Sequence, residues 1–167
     1  MAKKEIKTDL WVYDLLKEAG LDLCPQGSDI VELDKALKTA SKAQTGKAGY
    51  PEYCGIVKDF VIVIEDKADV ADHIKRNDSD LICQTADSVK NFALNGALHY
   101  GIHLANNTGY KKIIAIGVSG NEKRHKISPL FVNERGEYKE LEEVETFTLF
   151  NEKNINEYYT KKILKEQ

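Results

Sequence analysis

The stretch from Gly49 to Asp69, GYPEYCGIVKDFVIVIEDKAD, restricts the possible folds of this chain more than any other. Phe60 to Ile64 is an uninterrupted apolar run rich in β-branched residues. It is short enough to predict a buried strand rather than a helix. Three charges, Glu65, Asp66 and Lys67, end it abruptly. A second apolar segment opens after Pro51-Glu52 and closes at Val57, and the polar pair Lys58-Asp59 between the two predicts a tight hairpin turn.

With Val57 opposite Phe60, antiparallel pairing sets Cys54 against Val63 and Glu52 against Glu65. Directly opposed Cβ atoms lie about 4.5–5.5 Å apart, where like charges repel. A shared cation relieves that repulsion, and hard oxygen ligands favour Mg²⁺ or Mn²⁺. Alternation along the strand puts Lys67 on the face of Glu65 and Asp66 on the other, with the Asp66 carbonyl still in reach of the ion. Two carboxylates, a cation and an ammonium are the components of a phosphodiester hydrolysis site. The register carries the reading, because Lys-Asp is not a favoured two-residue turn and a slip of one residue turns Glu52 to the wrong face. Glu-x-Lys alone says little, since Glu5-Ile6-Lys7 and Glu137-Tyr138-Lys139 share it. Only the middle copy ends an apolar strand with a Pro-acidic pair one hairpin upstream. The bland alternative is a buried strand with a solvated, charged exit.

Pro51-Glu52 followed by Glu65-Asp66-Lys67 resembles the PD-(D/E)xK nuclease motif, with Glu in place of the usual first Asp. The longer run SKAQTGKAGYPEY with KDFVIVIEDKAD is similar to the N-terminal nuclease domain of restriction-modification proteins. In these the nuclease precedes an N-6 adenine DNA methylase and a target-recognition region. The N-terminal part of type I restriction R subunits is also similar. The likeness covers most of residues 5–135 and is specific at 45–70. It implies an α/β, restriction-endonuclease-like three-layer fold with a central mixed sheet flanked by helices. It implies a Mg²⁺-dependent (or Mn²⁺-dependent) endodeoxyribonuclease, with Glu52, Glu65 and Lys67 catalytic and Glu52, Glu65 and Asp66 holding metal. It also implies an acidic residue from a helix ahead of the hairpin, for which Glu32 ranks above Glu18.

The chain has 167 residues, which predicts one domain over 1–167 with a single packed core. What the resemblance implies is that it is the N-terminal domain of a longer restriction-modification polypeptide. The sequence has no apolar stretch long enough for a membrane span, and MAKKEIK lacks the apolar continuation of a secretory signal. Cys24, Cys54 and Cys83 form neither a metal spacing nor an even disulfide set, which suits a reducing cytoplasm. The net charge of −3 argues mildly against nucleic acid, yet Lys35, Lys38, Lys42 and Lys47 stand in a stretch free of acids. Lys35, Lys38 and Lys42 share a face if that stretch is helical, so Lys38, Lys42 and Lys47 are expected DNA-phosphate contacts. A solvated helix face explains them equally well.

Ile6, Leu10, Val12, Tyr13, Leu16 and Ala19 predict a helix over Glu5–Ala19 stopped at Gly20, with those residues as its apolar face. Cys24 to Gly27 reads as a loop, and Ser28 as the N-cap of a helix carrying Ile30, Leu33, Leu37 and Ala40. Thr45-Gly46-Lys47 fails the phosphate-loop pattern at Ser41 and Ala48. Ala68 to Asp80 is charge-rich and reads as an exposed connection. Ala86 to Asn106 predicts one long, largely buried helix with Asn95, His99 and His103 as a polar stripe. HYGIH lacks the Glu of HExxH, so packed or solvated histidines are expected there. In the related type I nuclease domains this helix carries a Gln-x-x-x-Tyr element that contacts DNA. Tyr100 matches its Tyr and is the fourth expected DNA contact, while Gly96 stands where the Gln would be.

Lys111 to Val118 predicts a second buried strand, parallel to the first through a βαβ crossover. Gly117 to Asn121 misses the GxSxG elbow, and Lys123, Arg124 and His125 form a basic cluster. Ile127–Val132 and Tyr138–Leu141 predict an edge hairpin around 133–136, and Asn154–Lys165 an amphipathic helix. A second functional class fits the same residues: a noncatalytic nuclease-like module that binds DNA or a partner subunit.

Overall fold

The computed structural model describes residues 3–44 and 46–164. Thr45 and the expected helix end at Lys165 lie outside the described residues. The elements are α1 (Lys3–Ala19), β1 (Cys24–Pro25), α2 (Val31–Leu37), β2 (Tyr53–Val57), β3 (Phe60–Lys67), α3 (Ala86–Asn91), α4 (Ala93–Asn107), β4 (Lys112–Gly120), β5 (His125–Asn133), β6 (Tyr138–Glu140) and α5 (Ile155–Tyr158). Among the described residues six strands form one sheet in chain order β1 to β6. Only β3 and β4 run parallel; the other neighbours are antiparallel, so the sheet is mixed.

The hairpin has the expected register, with Val57 paired to Phe60 and Cys54 to Val63. The unfavoured Lys-Asp turn forms because Lys58 takes a left-handed backbone, φ +56°. That conformation gives a two-residue turn the twist the strands need. Even-numbered side chains of β3 (Phe60, Ile62, Ile64) pack with Val12 and Leu16 of α1 and with the C-terminal segment. The odd-numbered Val61 and Val63 pack with α2 and α4. The result is an α/β sheet with helices on both faces.

Several expectations need correction. Cys24–Pro25 is not loop but an edge strand paired with Cys54 and Tyr53. The buried side of α1 is Thr8, Val12, Leu16 and Ala19, whereas Ile6, Leu10 and Tyr13 are exposed. Ser28 does not cap α2, whose N-cap is Ile30; it bonds Asp34 from the preceding loop. α2 stops at Leu37, so Lys42 leaves the expected helical stripe. The long helix is broken at Phe92, which is extended, and α4 begins where the Leu94 N–H donates to the His73 carbonyl at 2.9 Å.

The connection after β3 is not simply exposed. His73 is buried, with its ring nitrogens 2.7 Å from Ser119 Oγ and 2.7 Å from Ser128 Oγ. Asn95, also buried, accepts from the Lys75 N–H and donates to the Lys75 and Cys83 carbonyls, pinning the same segment to α4. α4 lies close on the sheet because Gly117 gives it room: a Cβ there would meet the Leu94 backbone at 2.6 Å. His99 and His103 point at the Ala40 and Ala36 carbonyls at 2.8 and 2.9 Å, so they pack α4 on α2.

Candidate metal centre

The site lies where the C-terminal end of β3 meets the start of β2 and the N-terminal half of α1. The parallel pairing carries Glu65, Asp66 and Lys67 alongside Gly117, Val118 and Ser119. Alternation sends Asp66 toward α1 and Glu65 toward α4. Asp66 is 1% exposed and Glu65 2%. Asp9 from α1, Glu52 from the residue ahead of β2, and Asp66 each offer one carboxylate oxygen, all within 4.8 Å of one another.

Both Asp66 oxygens and Asp9 Oδ1 are buried without a hydrogen-bond donor among the described residues. The cluster sets carboxylates beside one another, and these bond one another only when one is protonated. Burial pushes the Asp66 carboxyl up to about 10, reinforced by the adjacent Asp9 side chain and by the charges of Asp9, Glu52 and Glu65. Burial also pushes Glu52 up to about 7, followed by the charges of Glu65 and Asp9, with Lys42 pulling the other way. Such a cluster holds either protons or a cation. Three carboxylates from three separate elements, with orphaned oxygens, fit a hard divalent cation.

Around this cluster the remaining charges are answered. Gln26 Nε2 donates to Glu52 Oε2 at 2.6 Å, and the Gln26 N–H donates to the Glu52 carbonyl at 2.9 Å. Glu65 accepts from the Glu52 N–H at 2.9 Å and forms an ion pair with Lys42. Lys67 lies 3.9 Å from Glu5, one helical turn before Asp9.

The expected residues are therefore partly gathered. Glu52 and Asp66 converge with Asp9, Asp66 through its side chain rather than its carbonyl, whereas Glu65 lies outside that cluster and meets Glu52 at the backbone N–H. Lys67 lies at the same strand end but leans to α1. The structure does not bring in Glu32, whose Oε1 accepts from the Gly109 N–H at 3.0 Å. Gly109 precedes Lys112, which pairs with Phe60, so Glu32 sits at the opposite end of β3. Lys38 and Lys47 are exposed, while Lys42 is turned inward onto Glu65. Tyr100 is 2% exposed, which places its ring in the core rather than on a DNA-facing surface. The acid supplied by a helix ahead of the hairpin is Asp9. Stepping back from Ala19, Leu16 and Val12 by helical spacing reaches Asp9 and Glu5, and that was the available signal.

Over 168 aligned residues the chain is 31% identical to the type II restriction enzyme and methyltransferase RM.BcgI of Heyndrickxia coagulans. The alignment covers 99% of this chain and 26% of that protein, so the chain spans about a quarter of its relative. This similarity relates the chain to a restriction-modification protein. No family model matches the sequence, and no solved structure matches the fold. Among the described residues no helix is long and apolar enough to cross a membrane.

Proposed function

We propose that this chain is the cleavage domain of a restriction-modification system, a PD-(D/E)xK-type endodeoxyribonuclease that hydrolyses DNA phosphodiesters with Mg²⁺ or Mn²⁺. The observation that carries the reading is the buried, donor-free Asp66 carboxylate facing Asp9 and Glu52. The similarity to a restriction enzyme and methyltransferase supports the choice of DNA as substrate.

Asp9, Glu52 and Asp66 would hold the cation, with Glu65 against the Glu52 backbone as the fourth acid of the centre. When bound, the cation polarises the phosphate and makes water more acidic. The chain's own groups orient the reaction. Gln26 fixes the Glu52 carboxylate, and the buried walls keep bulk water from the acids. Lys67, held loosely by Glu5, supplies a positive charge for the attacking hydroxide or the developing negative charge. In the overall reaction a water oxygen bonds to phosphorus, one ester P–O bond breaks, and the leaving oxygen takes up a proton. Lys38 and Lys47 would meet DNA phosphates on the exposed approach. A methylase and target-recognition region in the same polypeptide, and a cytoplasmic setting, belong to this proposal.

Titration of the protein with Mn²⁺ by calorimetry, alongside plasmid cleavage in Mg²⁺ or Mn²⁺, tests it. One saturable cation site and cation-dependent nicking are expected. Salt-sensitive DNA binding without any cleavage would instead identify a noncatalytic DNA-binding module.

A further inference from the structure

The Lys42 ammonium is turned inward onto Glu65, at the edge of the acidic centre, rather than out to solvent. It is ion-paired with Glu65, whose side chain is 3% exposed, and its own side chain is 22% exposed. The other Glu65 oxygen accepts the Glu52 N–H at 2.9 Å, so Glu65 holds Lys42 on one side and the Glu52 backbone on the other. Lys42 is close enough to draw the Glu52 carboxyl downward against burial and the neighbouring acids. Its Nζ is 5.7 Å from the Tyr100 ring centroid.

Gly96 explains how Lys42 reaches this place. A Cβ at position 96 would come within 3.4 Å of Lys42 Cε, 3.3 Å of Glu65 Oε2 and 2.9 Å of the Val89 carbonyl oxygen. A side chain on α4 at this position would therefore occupy the ground that Lys42 and Glu65 fill. The chain enters that space from the loop after α2 instead of from α4. Lys67 approaches the same strand end from the α1 side, where Glu5 holds it.

We infer that Lys42 is a catalytic lysine of this centre, which stabilises the negative charge building on the phosphodiester during cleavage, from the face opposite Lys67. This inference rests on the nuclease reading above. Glu65 fixes the position of Lys42 beforehand, so little reorganisation is needed when charge develops. The exposed Lys38 and Lys47 lack such a bracket, and their removal should weaken DNA binding.

The test compares Lys42→Met, which keeps the apolar stem against Gly96, with Lys42→Arg and with Lys38→Met/Lys47→Met. Five quantities are measured: kcat and KM for plasmid cleavage, Mn²⁺ affinity by calorimetry, cation-free duplex binding by anisotropy, and Tm. Lys42→Met should lower kcat by about 100-fold, the scale of losing one preorganised charge donor. Its KM, duplex affinity and Mn²⁺ affinity should stay within about threefold, about half a decade or 0.65 kcal/mol. Lys42→Arg should recover part of kcat. Lys38→Met/Lys47→Met should raise KM. Wild-type kcat in Lys42→Met, or a loss matched by equally weakened Mn²⁺ binding or by a collapsed Tm, would overturn the assignment while leaving the nuclease reading standing. A wild-type protein that binds Mn²⁺ and DNA but never cuts would overturn both.

Discussion

Two buried polar clusters lie side by side at the end of the β3/β4 pair, and they are built on opposite principles. In one, His73 is bonded at both ring nitrogens, to Ser119 and Ser128, and no polar atom of the ring is left over. In the other, Asp9, Glu52 and Asp66 crowd together with orphaned oxygens. The two are neighbours in the sheet, since Asp66 pairs with Val118 and Lys67 with Ser119. A satisfied buried network holds a connection in place, whereas an unsatisfied one is stable only with something added. Chemistry is therefore to be sought at the acids, even though a histidine between two serines has the more familiar composition of an active site.

The largest expected effect separates the clusters directly. Asp66→Asn should abolish cation binding and lower cleavage by about 1000-fold, the upper scale for loss of a preorganised site group. Its cation-free stability should equal or exceed that of the wild type, because an amide can donate to Asp9 and Glu52 where a carboxylate cannot. Calorimetry with Mn²⁺ and thermal melts in chelator check both halves. A variant that still binds Mn²⁺ normally would break the contrast.

The pH dependence of cation-free stability should have opposite signs in the two clusters. Glu52 rises from 4.5 to about 7 and Asp66 from 3.8 to about 10, so the folded chain keeps protons that the unfolded chain has released. Their contribution to stability is complete below the ordinary carboxylate range and is lost as pH rises through the folded values. His73 falls from 6.5 to about 4, so the unfolded chain binds the proton first, and its contribution is lost as pH falls through that window. Chemical melts from pH 4 to 9 should show partial cancellation below about 6.5 and a decline above it. Saturating Mg²⁺ should flatten or reverse the decline. A decline unaltered by Mg²⁺ would detach the acids from cation binding.

A smaller effect is expected from His73→Ala, which orphans two serine hydroxyls at about 1–3 kcal/mol each. Denaturant melts should show that loss, with Mn²⁺ affinity unchanged and the acidic decline above pH 6.5 retained. Smallest of all, Glu32→Gln should alter stability by no more than about 0.5 kcal/mol, as expected of an exposed side chain, and leave cleavage and Mn²⁺ affinity intact.

Particular residues mark how far the chain could be read without coordinates. The Phe60–Ile64 run, the Lys58-Asp59 turn and the parallel partner at Lys112–Gly120 were legible because each is a contiguous pattern with short connections. The register set Glu52 beside Glu65, but Glu65 meets the Glu52 backbone N–H and the Glu52 carboxylate turns to Asp9 and Asp66. The break at Phe92 was not legible, since the apolar periodicity runs straight through it. The His73 carbonyl, distant in sequence, takes the Leu94 N–H that starts α4. The apolar face of α1 was misjudged because exposed Ile6, Leu10 and Tyr13 are as hydrophobic as the residues that are buried.

Sequence pattern was sufficient for the hairpin and the crossover strand, because strand alternation and turn length act over a few residues and leave one consistent pairing. Tertiary packing chose Asp9 over Glu32 as the helical acid, brought Asp66 in through its side chain, and turned Lys42 from a presumed surface stripe onto Glu65. Those choices depend on how α1 rotates on the sheet and where the chain after α2 re-enters it. Such rotations and re-entries are governed by close packing between segments far apart in the chain, which local periodicity does not encode.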